Sequence, residues 1–397
     1  MAGRLRTIED LGGLDGRRLF VRVDLNVPLE DGSVADDLRI TAVLPTIDEL
    51  RGSGAAVVLG SHLGRPKGTV VEDLRLDPVA VRLEELGRFS VQKVDEVVGD
   101  AVTKTAAELA PGEVLMLENL RFDPGEEGND GPLADALAGL ADAYVNDAFG
   151  AAHRAHASVV ALAERLPAAA GRLMQREVDV LTRLLGEPEK PFVAILGGAK
   201  VSDKLGVIDA LLPRVDAILI GGAMAFTFLA AQGAATGESL VETGHLDAAR
   251  ETMNAAERRG VRLVLPEDVV VAEEPAALVR VETVRARSIP PGLKGLDVGP
   301  RTVEEFTRVL ADARTVFWNG PMGVFEVEPF AEGTRGLARA VAAADAFTVV
   351  GGGDSVAAIR RLGFEGDVDH LSTGGGASLE FLEGKDLPGV AVLREEK

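Results

Sequence analysis

The 397-residue chain contains no cysteine. That absence removes disulfides, thiolate nucleophiles, iron–sulfur clusters and thiolate zinc sites together, and it permits the cytosol without requiring it. Positive charge is also in short supply: 42 Lys and Arg face 63 Asp and Glu, a formal net charge of −21. A field of that sign repels nucleic-acid backbones and anionic lipid surfaces, so neither is an expected partner. Residues Met1 to Asp10 carry charge with no apolar run behind them, so no secretory signal is read and cytoplasmic residence is the expectation. There is no HExxH frame, no Walker A loop, and no GxGxxG followed by an acidic ribose ligand, which argues against a zinc protease, a P-loop enzyme and a nicotinamide dehydrogenase. The stretch Ala217 to Gly237 lacks charge and is long enough to raise a membrane span. A buried strand Ala217 to Ile220, a Gly221-Gly222 turn and a buried helix Met224 to Gln232 explain it better.

What the chain does have is apolar runs of strand length separated by helical spacing. Leu19 to Val23, Ala55 to Leu59, Val114 to Leu117 and Ala143 to Val145 form the first set. Phe192 to Leu196, Ala217 to Ile220, Arg262 to Leu265, Thr315 to Trp318 and Phe347 to Val350 form the second. Runs apolar throughout fit parallel sheets buried on both faces, so the expected fold is α/β with two Rossmann-like lobes and helices on each sheet. The length also exceeds what one core supports. A helix is expected over 171 to 185, ended by the turn-rich Gly186 to Pro191, which divides the chain into a lobe over 1–170, a connecting helix over 171–186 and a lobe over 187–384.

Ligands of open parallel sheets sit beyond the carboxyl ends of the strands. In the second half those positions are glycine-rich. Gly197 to Lys204 carries Lys200 and Lys204, which could put two cations by one phosphate or could be solvated lysines of a plain turn. Gly351-Gly352-Gly353-Asp354-Ser355 follows the strand ending at Val350, with Asp354 either a ligand for Mg²⁺ beside phosphate or an ordinary helix N-cap. Ser372 to Ser378, with Gly375, is a third such turn. In the first half the same positions hold Asp24, Asn26, Arg39, His62, Arg65, Arg121 and Arg154. One such arginine commonly just solvates a face, but several converging in an acidic protein point to a small, multiply charged anion. His153 and His156 lack further histidines nearby and are read as network residues rather than zinc ligands.

Val21 to Pro28, Ser61 to Pro66, Gly197 to Lys204, Phe317 to Glu326 and Gly351 to Ser355 closely resemble the phosphoglycerate kinase family, in order and across the whole chain. The resemblance implies a glycolytic phosphotransferase that moves the acyl phosphate of 1,3-bisphosphoglycerate to MgADP, giving 3-phosphoglycerate and ATP, and a monomer whose two lobes close about a hinge. It implies a phosphoglycerate site in the first lobe made by Asp24, Asn26, Arg39, His62, Leu63, Gly64, Arg65, Arg121 and Arg154. It implies a nucleotide site in the second lobe made by Lys204, Gly295, Glu326, Gly351, Gly352, Gly353 and Asp354, with Asp354 on Mg²⁺. Residues 385–397 would return to the first lobe. Arg39, Lys200 and the backbone amides at Gly352 and Gly375 are the expected stabilisers of the transferring group, in a closed cleft between the lobes. An inactive binding relative would be expected to have lost Arg39, Lys200 or Asp354, and all three are present.

Overall fold

A computed structural model describes residues 3 to 395. The chain packs as two compact units, one formed by residues up to Asp179 together with those from Lys385 onward, the other by Val180–Gly384. The division falls inside the helix Arg172–Leu185, so this helix is shared between the units rather than standing apart from them.

The first unit is built on a six-stranded sheet in the spatial order Val91–Lys93, Val114–Met116, Ala56–Gly60, Arg18–Val23, Ala143–Asp147, Ala168–Ala170. All of its pairings are parallel. The central strands are buried along their length, as a sheet covered on both faces requires. Leu19, Val21, Val57 and Leu59 share one core with Ile40, Val43 and Ile47 of the helix Leu38–Gly52 and with Val79 and Leu83 of the helix Asp77–Gly87. The chain end closes the same unit: Arg6 N donates to Leu393 O at 2.9 Å, and Gly389 N to Ala152 O at 2.8 Å.

The second unit has its own six-stranded sheet, in the order Arg262–Val264, Ala217–Ile220, Phe192–Leu196, Thr315–Asn319, Phe347–Gly351, His370–Leu371. Numbered along the chain this is 3-2-1-4-5-6, the doubly wound order whose switch point lies between the first and fourth strands. Two glycines let the loops beyond that point touch. A Cβ on Gly320, whose φ is +101°, would lie 2.2 Å from Gly197 O. Beside the mostly parallel sheets that were expected, Glu282–Arg285, Asp268–Ala272 and Lys294–Val298 form a separate three-stranded antiparallel sheet. The uncharged stretch Ala217 to Gly237 is the strand Ala217–Ile220 followed by the helix Met224–Ala231, and among the described residues no helix is long and apolar enough to cross a membrane.

The loop that presents the first unit's candidate residues is anchored on Glu118, which is 1 % exposed. Its carboxylate accepts from Lys93 Nζ at 2.7 Å, Arg75 Nη1 at 3.0 Å, Leu76 N at 3.0 Å and Asn119 N at 2.8 Å. Replacing it leaves two amides without their acceptor, while Arg75 keeps Glu72 and Lys93 keeps Asp77 and Asp95, so Glu118→Ala is expected to cost about 2 kcal/mol in urea unfolding of the full chain, while a surface control such as Glu108→Ala costs under about 0.5 kcal/mol.

Candidate active site

The first unit gathers its candidates just past the carboxyl ends of adjacent strands. Asp24 follows Arg18–Val23 directly, and its Oδ1 accepts from Asn26 N and from Arg39 Nη1, each at 3.2 Å. Arg39, in the first turn of the helix Leu38–Gly52, also donates to Asn26 O at 3.0 Å. Asn26 Oδ1 in turn accepts from Gly64 N at 2.9 Å, and Arg121 Nη1 donates to Gly64 O at 2.7 Å. Gly64 has φ +64°, and a Cβ there would sit 2.7 Å from Leu74 Cδ2, so its glycine is needed by the turn itself. Leu63 is tied through both its N and its O to the side chain of Asn119, which also caps the 3₁₀ turn holding Arg121. Asp24, Asn26, Arg39, Leu63, Gly64 and Arg121 are thus one bonded assembly, with His62 buried beside it and 4.0 Å from Asp24.

Arg154 is exposed, with Nε donating to His153 Nε2 at 3.0 Å, and its charge acts on Arg121 and His156. Arg65 is exposed in the same loop as Gly64. Sequence reading missed the residues beneath. Arg22, wholly buried in a strand, donates from Nε to Ser158 Oγ at 2.7 Å and from Nη2 to His62 Nδ1 at 3.1 Å. Ser158 Oγ donates to the buried Glu126 at 2.6 Å. The only sequence signal was a charge interrupting an apolar run, at Arg22 in Leu19 to Val23.

This density of cations marks the histidines. Burial first, then Arg22, Arg121 and Arg39, hold His62 well below the usual histidine range. Burial and then Arg121, Arg22 and Arg154 pull His156 down to about 4.

In the second unit the loops beyond the switch point line a cavity of about 440 Å³, a size suited to a nucleoside. Phe226, Leu240, Val269, Leu296, Met322 and Val324 supply apolar walls, with Gly198, Gly295 and Gly323 giving backbone surface. Glu326 and Asp354 border it. Gly295 sits on the antiparallel sheet, beside a bulge, and a Cβ on it would lie 2.0 Å from the Phe226 ring. The buried Asp297 in the same strand accepts from Gly333 N at 2.6 Å and Val298 N at 2.9 Å, and burial pushes its carboxyl up to about 8.

Lys200 and Lys204 do not share a helix face, because the helix begins only at Leu205. Lys200 is exposed, whereas Lys204 turns inward onto Asn319 Oδ1, and burial lowers its ammonium against the pull of Asp203 and Asp354. Asn319, a residue not singled out in the sequence, also donates from Nδ2 to Gly351 O at 2.7 Å, joining Lys204 to the next glycine turn. There Gly352 is the N-cap of the helix Gly353–Arg361, with φ +90°, and Asp354 is exposed at the second helical position with no capping bond. The N-cap reading of Asp354 is therefore set aside. Gly375, with φ +55°, precedes the helix Gly376–Leu382, and Ser372 Oγ lies 2.6 Å from Ser378 Oγ. Among the described residues no three His, Cys, Asp or Glu converge to hold a metal unaided.

An arginine-rich cluster in one α/β unit and a nucleoside-sized cavity at the switch point of another fit a two-unit α/β enzyme of the nucleotide-using class. Residues 8–385 match the family model for phosphoglycerate kinase, and the chain belongs to the phosphoglycerate kinase family. It is 58% identical over 390 residues to a phosphoglycerate kinase of Moorella thermoacetica, covering 98% of this chain and 99% of that one. It is 58% identical over 392 residues to one from Thermomicrobium roseum, covering 99% and 100%. A solved phosphoglycerate kinase of Coxiella burnetii, 40% identical, superposes with a TM-score of 0.87 over 98% of this chain and 99% of that one. One from Pyrococcus horikoshii, 36% identical, gives 0.87 over 98% of each. The chain is an enzyme of this type, which excludes the dehydrogenase and inactive-relative readings.

A histidine held down in the folded state binds fewer protons than it does unfolded, so it lowers stability as pH falls below about 6.5, fully by about 4. The fall in unfolding free energy between pH 6.5 and 4 is expected to be shallower in His156→Gln than in the parent, measured by urea titration at each pH.

Proposed function

We propose that the chain transfers the acyl phosphate of 1,3-bisphosphoglycerate reversibly to MgADP, giving 3-phosphoglycerate and ATP, as a cytoplasmic glycolytic enzyme. The bonded assembly of Asp24, Asn26, Arg39, Gly64 and Arg121 carries the reading, because it presents several cations to one small anion within a chain of charge −21. In this reading Asp24, Asn26, His62, Leu63, Gly64, Arg65, Arg121 and Arg154 hold the phosphoglycerate. Lys204, Gly295, Glu326 and Gly351 to Asp354 hold the nucleotide, with Glu326 accepting from ribose hydroxyls.

The acceptor in the ATP-consuming direction is a carboxylate, ionised at neutral pH, so no general base is needed. Catalysis then lies in alignment and in charge stabilisation, by Arg39 and Lys200 and by the amides near Gly352 and Gly375. Mg²⁺ suits the second unit, where Asp354 offers one free-standing carboxylate beside a glycine turn, the donor set expected when phosphate oxygens and water complete the shell. When bound, the ion would offset phosphate charge. Because acceptor and donor groups belong to different units, the reaction as proposed needs both to engage one transferring group.

A coupled assay with 3-phosphoglycerate and MgATP tests the reading, and no turnover would end it. Arg39→Ala should lower kcat on the order of 100-fold with MgATP affinity nearly unchanged, and parental turnover in that variant refutes the role given to Arg39. Asp354→Ala should weaken nucleotide binding chiefly when Mg²⁺ is present, as calorimetry with and without the ion would show.

A further inference from the structure

We propose that Arg22 is a positioning residue that fixes His62 as the neutral imidazole protonated on Nε2, so that His62 meets its ligand as an uncharged hydrogen-bond donor. The ligand part of this rests on reading the pocket as the phosphoglycerate half-site; the tautomer does not.

Arg22 is paired in register with Gly60, two residues before His62 on the neighbouring strand, and its side chain is entirely buried. Nε donates to Ser158 Oγ at 2.7 Å, Nη1 to Val23 O, and Nη2 points to His62 Nδ1 at 3.1 Å. A guanidinium has no acceptor and keeps its protons, so Nδ1 must be the acceptor of this bond. A neutral imidazole has one ring proton, which then lies on Nε2.

A second proton on Nδ1 would set two N–H groups against each other. It would also add a charge to a buried ring that faces Arg22 from its own sheet, Arg39 from the helix Leu38–Gly52, Arg121 from the 3₁₀ turn Leu120–Phe122, and His156. Two carboxylates stand nearby, and both are already engaged. Asp24, 4.0 Å from Nδ1, accepts from Arg39 and from Asn26 N. Glu126 accepts from Ser158 Oγ at 2.6 Å and Ser158 N at 3.0 Å and lies 4.0 Å from Arg22 Nη2. Ser158 thereby holds the guanidinium plane, and the guanidinium holds the ring. His62 supplies one donor and no charge, and the arginines supply the charge.

The test is long-range ¹⁵N–¹H spectroscopy of the imidazoles in the full chain, whose five histidines are sorted by comparison with His62→Gln. His62 should show the Nε2–H tautomer unchanged from about pH 5 to 8, and 3-phosphoglycerate should shift its Nε2 signal. An Nδ1–H tautomer, or titration within that range, overturns the proposal from the parent protein alone, whether or not any variant folds. In Arg22→Met both tautomers should appear and KM for 3-phosphoglycerate should rise on the order of tenfold with KM for MgATP unmoved, while Arg22→Lys should restore Nε2–H. A tautomer unaffected by Arg22→Met removes Arg22 from the role. An Nε2 signal that ignores 3-phosphoglycerate in an active enzyme overturns the donor role, whereas failure of the half-site reading shows itself separately, as absence of turnover.

Discussion

Burying both faces of a parallel sheet is the constraint from which the rest follows. Strand interiors must then be apolar, and the polar residues of these segments are displaced to the strand ends. Asp24, Ser61, Glu118 and Asp147 stand at or just past such ends in the first unit, as Gly197, Gly320 and Gly351 do in the second. Each chain reversal at a switch point leaves a crevice beside those ends, so backbone topology alone decides where chemistry can collect. Arg22 and its neighbour Asn146 on the next strand are exceptions, and Arg22 is the more demanding one. It is a charge inside a strand, and every nitrogen of its guanidinium has to be matched to a buried partner.

The arginines of this acidic chain fall into two populations. Arg75, Arg82 and Arg172 each bind two carboxylates, and those side-chain bonds raise their basicity. They hold the fold together. Arg121 is lowered instead, by burial and by the charges of Arg22 and Arg154, with only Glu127 at 3.3 Å and Glu126 opposing. Gathering like charges at a partly buried site is unfavourable, and the Arg121 guanidinium lacks the close pair of carboxylates that offsets Arg75.

The central parallel strands were legible because continuous apolar runs have few other solutions, and the helix over 171 to 185 because its spacing is regular, appearing as Arg172–Leu185, whereas the short strands Val91–Lys93, Ala168–Ala170 and His370–Leu371 were too brief to read. The antiparallel strands Asp268–Ala272, Glu282–Arg285 and Lys294–Val298 were not, since one exposed and one buried face dilutes the apolar signal and the last carries a glycine and a bulge. Gly295 was therefore reached through family likeness rather than through its strand. Asn319 and Ser158 were invisible for another reason: their roles exist only across contacts of 32 residues or more, to Gly351 and to Glu126. For the lysine pair only the spacing argument falls away, because four residues bring side chains together inside a helix, and this one starts after Lys204.

Glycine richness at the second unit's turns needs dividing before it argues for phosphate. Gly197, Gly295 and Gly320 are fixed by packing, since a Cβ on any of them would fall within 2.3 Å of a protein atom. Gly198, Gly352 and Gly375 are accounted for by φ of +99°, +90° and +55°. Neither reason reaches Gly353 or Gly376, whose φ values are ordinary and whose Cβ positions are open to at least 4 Å. Both stand at the first turn of a helix, where alanine would be conformationally better. Open space and an ordinary φ are shared by Gly13, Gly52, Gly244 and Gly366 and so do not by themselves mark a ligand, but amides at the start of a helix favour an anion.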